Sequence, residues 1–221
     1  MPKSYMRCAS AKSRRGKKAI SGVRGGGLCD WFARFLPPDA KVVVDVAAGY
    51  CDFINNIRFG GTKVALDVNP DVQTHAASGV KAVVGGIERL PDLFEQGTVS
   101  VFFMSNFLEH ITKEEIKRLL EDCLELLEEG GQVWILTPNI RYTGGKYWDF
   151  FDHITPITEK ALCEIAVATG FSVKKCVRRF LPFTTKSALP KAAWLVRLYL
   201  KLMPFSGMVF GEQSFIILQK A

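Results

Sequence analysis

The apolar residues of this chain fall into short runs separated by amphipathic stretches and turns. Between Lys41 and Val46 the run Val42, Val43, Val44, Val46 is broken only by Asp45, which predicts a strand buried on both faces. Similar runs at 64–66, 80–84, 99–104, 133–136, 171–177 and 215–218 predict six more strands. Helical spacing is clearest over 112–129. There Thr112 and Glu115 form a capping box, Ile116, Leu119, Leu120, Cys123, Leu126 and Leu127 make one stripe, and Gly130 follows. Thr158 opens a second helix (Leu162, Ile165, Ala166) that Gly170 closes. Shorter helical patterns span 28–36 (Trp31, Phe32, Phe35, then Pro37-Pro38) and 53–59. A late one begins at Pro190 (Trp194, Leu195, Leu198, Tyr199, Leu202), with Lys191, Arg197 and Lys201 interleaved. Strands and helices in this order predict an α/β fold: a Rossmann-like, doubly wound, seven-stranded, mostly parallel sheet with helices on both faces. A helical insertion falls at about 180–207, and ligands are expected beyond the carboxyl ends of the strands.

Hydrophobic residues make up 48% of the 221 and charged ones 23%, so the chain reads as one folded domain rather than a disordered one. No apolar run approaches the roughly 18 residues of a membrane span. Six scattered cysteines without a CxxC pair suggest neither a zinc site nor a disulfide framework; a reducing, cytoplasmic setting and no metal site are expected. The charge is segregated: +8 over residues 1–29, −9 over 30–170 and +8 over 171–221. Residues 1–27 read as a basic flexible tail ahead of a domain at 28–221. Their Arg- and Ser-rich, acid-free composition also fits a transit peptide. Contact with nucleic acid is not expected, because Tyr5 is the one aromatic residue among these charges. The basic C-terminal region suits peripheral contact with an anionic membrane, although a core helix with a lysine-decorated outer face accounts for the same pattern. The oligomeric state has no signal in the sequence.

The chemistry starts where the first strand ends. An acid, a small-residue turn and a helix are followed about 20 residues later by a second apolar run ending in Asp67, the build of a nucleoside-binding βαβ unit. From about Asp39 to Phe171 the chain resembles the class I S-adenosylmethionine-dependent methyltransferases. Where that family ends its first strand in D-x-G-x-G-x-G, this chain has Asp45-Val46-Ala47-Ala48-Gly49-Tyr50-Cys51. Asp67 matches the acid that closes strand two, and Gly85-Gly86-Ile87-Glu88-Arg89-Leu90-Pro91 the loop after strand three. Ser105-Asn106-Phe107-Leu108-Glu109-His110 matches the segment after strand four, and Thr137-Pro138-Asn139 the end of strand five. A nicotinamide-dependent dehydrogenase shares the βαβ start but leaves the Asn106–His110 segment unexplained.

The resemblance implies S-adenosylmethionine as cofactor. Asp45, Ala47 and Gly49 would shape the turn that lets it approach the backbone, and Asp67 would take the ribose hydroxyls. Val68 and Ile87 would sandwich the adenine beside Glu88, and the ring of Tyr50 would face the sulfonium. Asn106 and Phe107 would border the methyl-transfer site. Ala47 and Cys51 depart from the family's glycines, which is harmless if neither position needs a positive φ. Gly86 stands where an acid often contacts the adenine amino group.

For catalysis, His153 is the candidate general base, with Asp152 or Asp149 to orient it and His110 as the competing base. Less specifically, the segments 148–158 and 180–190 resemble bacterial-type members linked to glycan or lipid-carrier pathways. The reading is therefore O-methylation, by in-line transfer, of a small-molecule or glycan/lipid-linked acceptor. Two alternatives stand beside it: a catalytically degenerate cofactor-binding or scaffold protein, and a nucleic-acid methyltransferase recruited by the basic ends. No N-P-P-[YF] segment follows strand four, which counts against amine chemistry on bases.

Overall fold

The computed structural model describes residues 23–183 and 193–220. The seven strands are β1 (Val42–Val46), β2 (Thr62–Asp67), β3 (Val80–Val84), β4 (Val99–Ser105), β5 (Leu127–Pro138), β6 (Phe171–Val177) and β7 (Gln213–Lys220). They form one sheet in the order β3-β2-β1-β4-β5-β7-β6. All pairs are parallel except those of β7, which runs antiparallel to both β5 and β6. The strand order reverses beside β1, between β2 and β4, which opens the crevice where such sheets bind ligands.

Side chains alternate across the pleat, so each strand feeds two cores. Val44, Val46, Leu66, Phe102 and Met104 face one layer of helices. That layer comprises α5 (Lys113–Leu126), through Leu119 and Leu120, and α7 (Glu159–Ala168), through Leu162. Val43, Ala65, Val101, Phe103 and Trp134 face the other layer. It comprises α1 (Val23–Phe32), α2 (Asp52–Asn56) and α8 (Ala193–Lys201), with Phe32, Ile54 and Leu200 as their buried contacts. The remaining helices are short: α3 (Val72–His75), α4 (Leu90–Leu93), α6 (Ile140–Thr143) and α9 (Phe205–Phe210).

Strands β2, β5 and β7 run longer than expected, and three further differences have a physical cause in the packing. The helix opened by the Thr112–Glu115 capping box ends at Leu126, not Glu129. Leu127 pairs with Val99 of β4, so 127–129 join a long β5 and Gly130 (φ 74°) lies within that strand. Strand pairing and the full burial of Leu127 outweigh the helical period there. Secondly, α1 begins at Val23 and carries Gly25 to Gly27, residues assigned to the tail on composition. Packing against α8, where Arg197 approaches Asp30 at 3.9 Å, accompanies a helix its glycines would not form alone. Lastly, the helix after β1 is α2 at Asp52–Asn56 rather than 53–59, because Ile57 is already extended. The rest of the expected tail, residues 1–22, and the start of the helix at Pro190 lie outside the described residues.

Candidate cofactor and methyl-transfer site

β1 and β4 are in register to their ends, Val46 opposite Met104, and β2 and β3 pair Asp67 with Val84. The turn at 47–51, the segment after Asp67, the loop at 85–88 and the turn at 106–110 therefore leave the same edge of the sheet side by side. The turn after β1 alternates its backbone: Ala47, Gly49 and Cys51 have φ of 55°, 54° and 58°. These are the three positions where the methyltransferase pattern carries glycine. Both departures thus sit at left-handed positions, contrary to the condition under which they were expected to be harmless. Cys51 is fully buried, and burial first, then Asp45, Asp67 and Asp52, push its thiol up to about 12. It serves packing and is not a nucleophile at neutral pH.

Ala47 carries a testable strain. A left-handed alanine costs about 1–2 kcal/mol, while a glycine costs about 0.4–1 kcal/mol through its freer unfolded chain. Ala47→Gly is thus expected to stabilise the protein by roughly 0.5–1 kcal/mol, read as a higher urea midpoint at unchanged slope. A lower midpoint would show that the Ala47 methyl contributes more packing than its backbone costs.

Asp67 holds the turn. Its Oδ2 accepts from the Gly49 N–H at 2.7 Å and its Oδ1 from the Asn69 N–H at 2.8 Å. The carboxylate is fixed at the mouth of the crevice, and each oxygen keeps a further lone pair for a hydroxyl donor. Asp45 is buried (3% exposed) on the face of β1 opposite Val44 and Val46. His75, half-buried, also supports the turn: its Nδ1 donates to the Gly49 carbonyl at 3.3 Å and its ring packs on Tyr50 at 4.7 Å. Only the pairing of β2 beside β1 brings it there, so no local signal marks it.

Val68 is exposed and Ile87 half-buried, and the Gly85 N–H donates to the Asp67 carbonyl at 2.9 Å, which ties their two segments together. Glu88 folds back over Gly86. A Cβ added at Gly86 would lie 2.1 Å from Glu88 Oε2, so the Glu88 carboxylate occupies the space an acid at position 86 would fill. Asn106 takes the left-handed conformation (φ 50°), which asparagine tolerates. Its N–H donates to the Leu136 carbonyl at 2.8 Å, and Phe107 packs against the core beneath.

Beyond Asn106, two segments meet. Glu109 and His110 lie on a single 3-10 turn, and His153 comes from the loop after β5. The backbone joins them: the Ile154 and Thr155 N–H groups donate to the Glu109 carbonyl at 2.9 and 3.2 Å. Thr155 Oγ1 donates to the Ile111 carbonyl at 2.6 Å. Asn139, fully buried, anchors the start of this loop by donating to Glu159 at 2.6 Å and Ser214 at 2.8 Å. His153 is buried between Phe150 (stacked, 5.1 Å), Tyr147 (4.8 Å) and His110 (4.9 Å). Burial first, then His110, press its pKa down to about 4 against a smaller opposing pull from Asp152. The orienting residue differs from the expectation. Asp152 sits against His110, with its carbonyl 3.0 Å and its Oδ2 3.6 Å from His110 Nδ1. The turn at His153 swings the Asp152 side chain to the neighbouring ring. Asp149 is an exposed residue at the end of a 3-10 turn. A groove lined by Leu36, Pro38, Arg58 and Phe59 lies at the opposite edge of the sheet, away from this chemistry.

Comparison with known proteins agrees with this geometry. Residues 44–135 match the family model described as a methyltransferase domain. No curated protein sequence matches the chain. Among solved structures, an S-adenosylmethionine-dependent methyltransferase from Archaeoglobus fulgidus is 17% identical, with TM-score 0.60, covering 97% of this chain and 94% of that one. Another from Thermotoga maritima is 14% identical, with TM-score 0.68 and coverage of 96% and 97%. Geranyl diphosphate methyltransferase in complex with S-adenosylmethionine is 15% identical, with TM-score 0.60 and coverage of 89% and 85%. At such identities the structures establish the fold alone, and the methyltransferase-domain match covers residues 44–135. The matched methyltransferase domain runs from β1 into β5, and the acid-and-turn crevice lies at the switch point of a fold shared with S-adenosylmethionine-dependent methyltransferases.

Proposed function

We propose that the chain transfers the methyl group to a hydroxyl of a small-molecule or glycan acceptor, carried on a lipid at an anionic membrane surface. The observation that carries the reading is the Glu109–His110–His153 cluster, assembled from the ends of β4 and β5 three residues beyond Asn106. Methyl transfer is an in-line displacement, accelerated mainly by holding the acceptor oxygen against the methyl carbon. A hydroxyl must also lose its proton, and the cluster supplies the groups for that. His153 alone is a poor general base, since a pKa near 4 lies far from the operating pH. The cluster acts as a unit, with His110 steered by Asp152.

The lipid-linked part of the proposal rests on the insertion. Trp194, Leu198 and Leu202 on or beside α8, and Phe205, Met208 and Phe210 on α9, are exposed. Arg197, exposed as well, and Lys201 stand among them. Apolar and basic side chains together suit an interfacial helix on anionic lipid. The insertion also touches the site: the ring of Phe183 lies 5.3 Å from Phe150 and 6.1 Å from His153. Among the described residues no helix is long and apolar enough to cross a membrane, so the contact would be peripheral.

The test is transfer of labelled methyl from S-adenosylmethionine to three acceptor sets: soluble glycosides, polyprenyl-linked glycans in anionic vesicles, and RNA. Label fixed in alkali-stable ether linkage, with the vesicle set the best acceptor, is the expected result. Transfer to RNA alone, or none from protein shown to bind the cofactor, would overturn the proposal.

A further inference from the structure

Sequence reading expects no metal site, yet the fold brings three metal-ligating side chains together. Glu109, His110 and His153 each offer one donor atom, and these lie within 4.8 Å of one another. Backbone bonds from Ile154 and Thr155 to Glu109 fix the two segments, so the meeting does not depend on side-chain rotamers alone.

The hydrogen-bond pattern around the donors is that of a prepared ligand set. His110 Nδ1 lies 3.0 Å from the Asp152 carbonyl, which can only accept. Nδ1 therefore carries the proton, and in the neutral ring Nε2 presents its lone pair, 3.9 Å from Glu109 Oε1. A backbone carbonyl on the far nitrogen of a histidine is the outer-shell device that orients metal-bound imidazoles. Glu109 is held in the same manner, its Oε2 accepting from Thr137 Oγ1 at 3.3 Å. His153 is 7% exposed, and its Nδ1 has no hydrogen-bond partner. A buried ring nitrogen left without a partner is costly, and a bound cation would satisfy it.

We propose that Glu109, His110 and His153 form a site for one divalent transition-metal cation that takes the acceptor hydroxyl as a further ligand. Two imidazoles and one carboxylate suit Zn²⁺, Co²⁺, Mn²⁺ or Fe²⁺ rather than Ca²⁺ or Mg²⁺, which favour oxygen alone. Three protein ligands leave coordination positions open for substrate. With bonds of about 2.0–2.1 Å the donors must stand about 3.3 Å apart, so the set closes slightly around the ion; His110, with 29% of its side chain exposed, has room to move. The inference rests on the methyl-transfer reading for its chemistry. The cation would polarise the bound hydroxyl so that its proton leaves to solvent. The oxygen then forms its bond to the methyl carbon as the carbon–sulfur bond breaks, giving the methyl ether, S-adenosylhomocysteine and one proton.

The test is equilibrium dialysis of EDTA-stripped full-length protein with Co²⁺, following visible absorption, and with Zn²⁺ in competition. Calorimetric titration with S-adenosylhomocysteine runs on the same samples. One cation per chain is expected, with ligand-field bands, and with affinity at least 10-fold lower in both His110→Gln and His153→Gln while the variants still bind S-adenosylhomocysteine. No uptake by the wild-type protein, or uptake that neither substitution changes, would overturn the site. Cation binding with no cofactor binding would uphold the site and count against the methyl-transfer reading instead.

Discussion

Asp67→Ala is expected to weaken binding of S-adenosylmethionine and S-adenosylhomocysteine on the order of 100-fold. A hydrogen bond to a charged group contributes about 1.5–3 kcal/mol, and each tenfold in affinity is about 1.4 kcal/mol. Asp67 would make such bonds to the ribose while its Oδ2 holds the Gly49 N–H at 2.7 Å. Removing it deletes the ribose acceptor and loosens the turn that the cofactor must approach. Asp67→Asn keeps one acceptor oxygen and loses the charge, so its affinity should fall between the two. Calorimetric titration decides: near-native affinity in Asp67→Ala would place the ribose elsewhere in the crevice. The same titration tests Glu88. If its carboxylate stands in for the acid missing at Gly86, Glu88→Ala binds several-fold more weakly and the double variant with Gly86→Asp recovers. Gly86→Asp alone should not help, because its Cβ would meet Glu88 Oε2 at 2.1 Å.

The largest effect on stability is expected from Phe32→Ala, a loss of about 3–5 kcal/mol, as for large aromatic truncations in a packed core. Phe32 is 1% exposed at the end of α1, with its ring 4.9 Å from Phe215, 5.5 Å from Phe103 and 6.0 Å from Phe53. It joins the central and antiparallel strands on one face of the sheet. Phe53, in turn, begins the helix that follows the cofactor turn, and stacks on Phe103 at 3.7 Å. A domain stable by about 5–15 kcal/mol would lose a large share of that margin. Urea unfolding measures it. A loss under about 1 kcal/mol would show that the core relaxes to fill the space and that α1 is peripheral to it.

How much of this was legible beforehand depended on how local each cause is. The buried run at β1, the capping box at Thr112 and the exact extent of β3 and β6 follow from periodicity and turn chemistry within a few residues. So does the switch-point crevice, because Asp67 and the turn at 47–51 belong to one βαβ unit. The end of α5 did not follow, since whether Leu127 continues a helix or joins a sheet is settled by an adjacent strand. The positive φ at Ala47 and Cys51 was equally hidden, because neither residue signals a left-handed backbone and only the surrounding fold imposes one.

The sequence by itself determined the α/β class, the strand count, the acid that closes β2 beside the turn after β1 and the candidacy of His110 and His153. Tertiary structure alone decided that His75 supports that turn, that Glu88 fills the place of an acid at Gly86, and that Asp152 faces His110 rather than His153. It also joined Glu109 to a histidine 44 residues away, through Thr155 on the same carbonyl. The physical reason is the same throughout: periodicity and turn chemistry act over a few residues, whereas these contacts arise where strands distant in sequence end at one edge of the sheet.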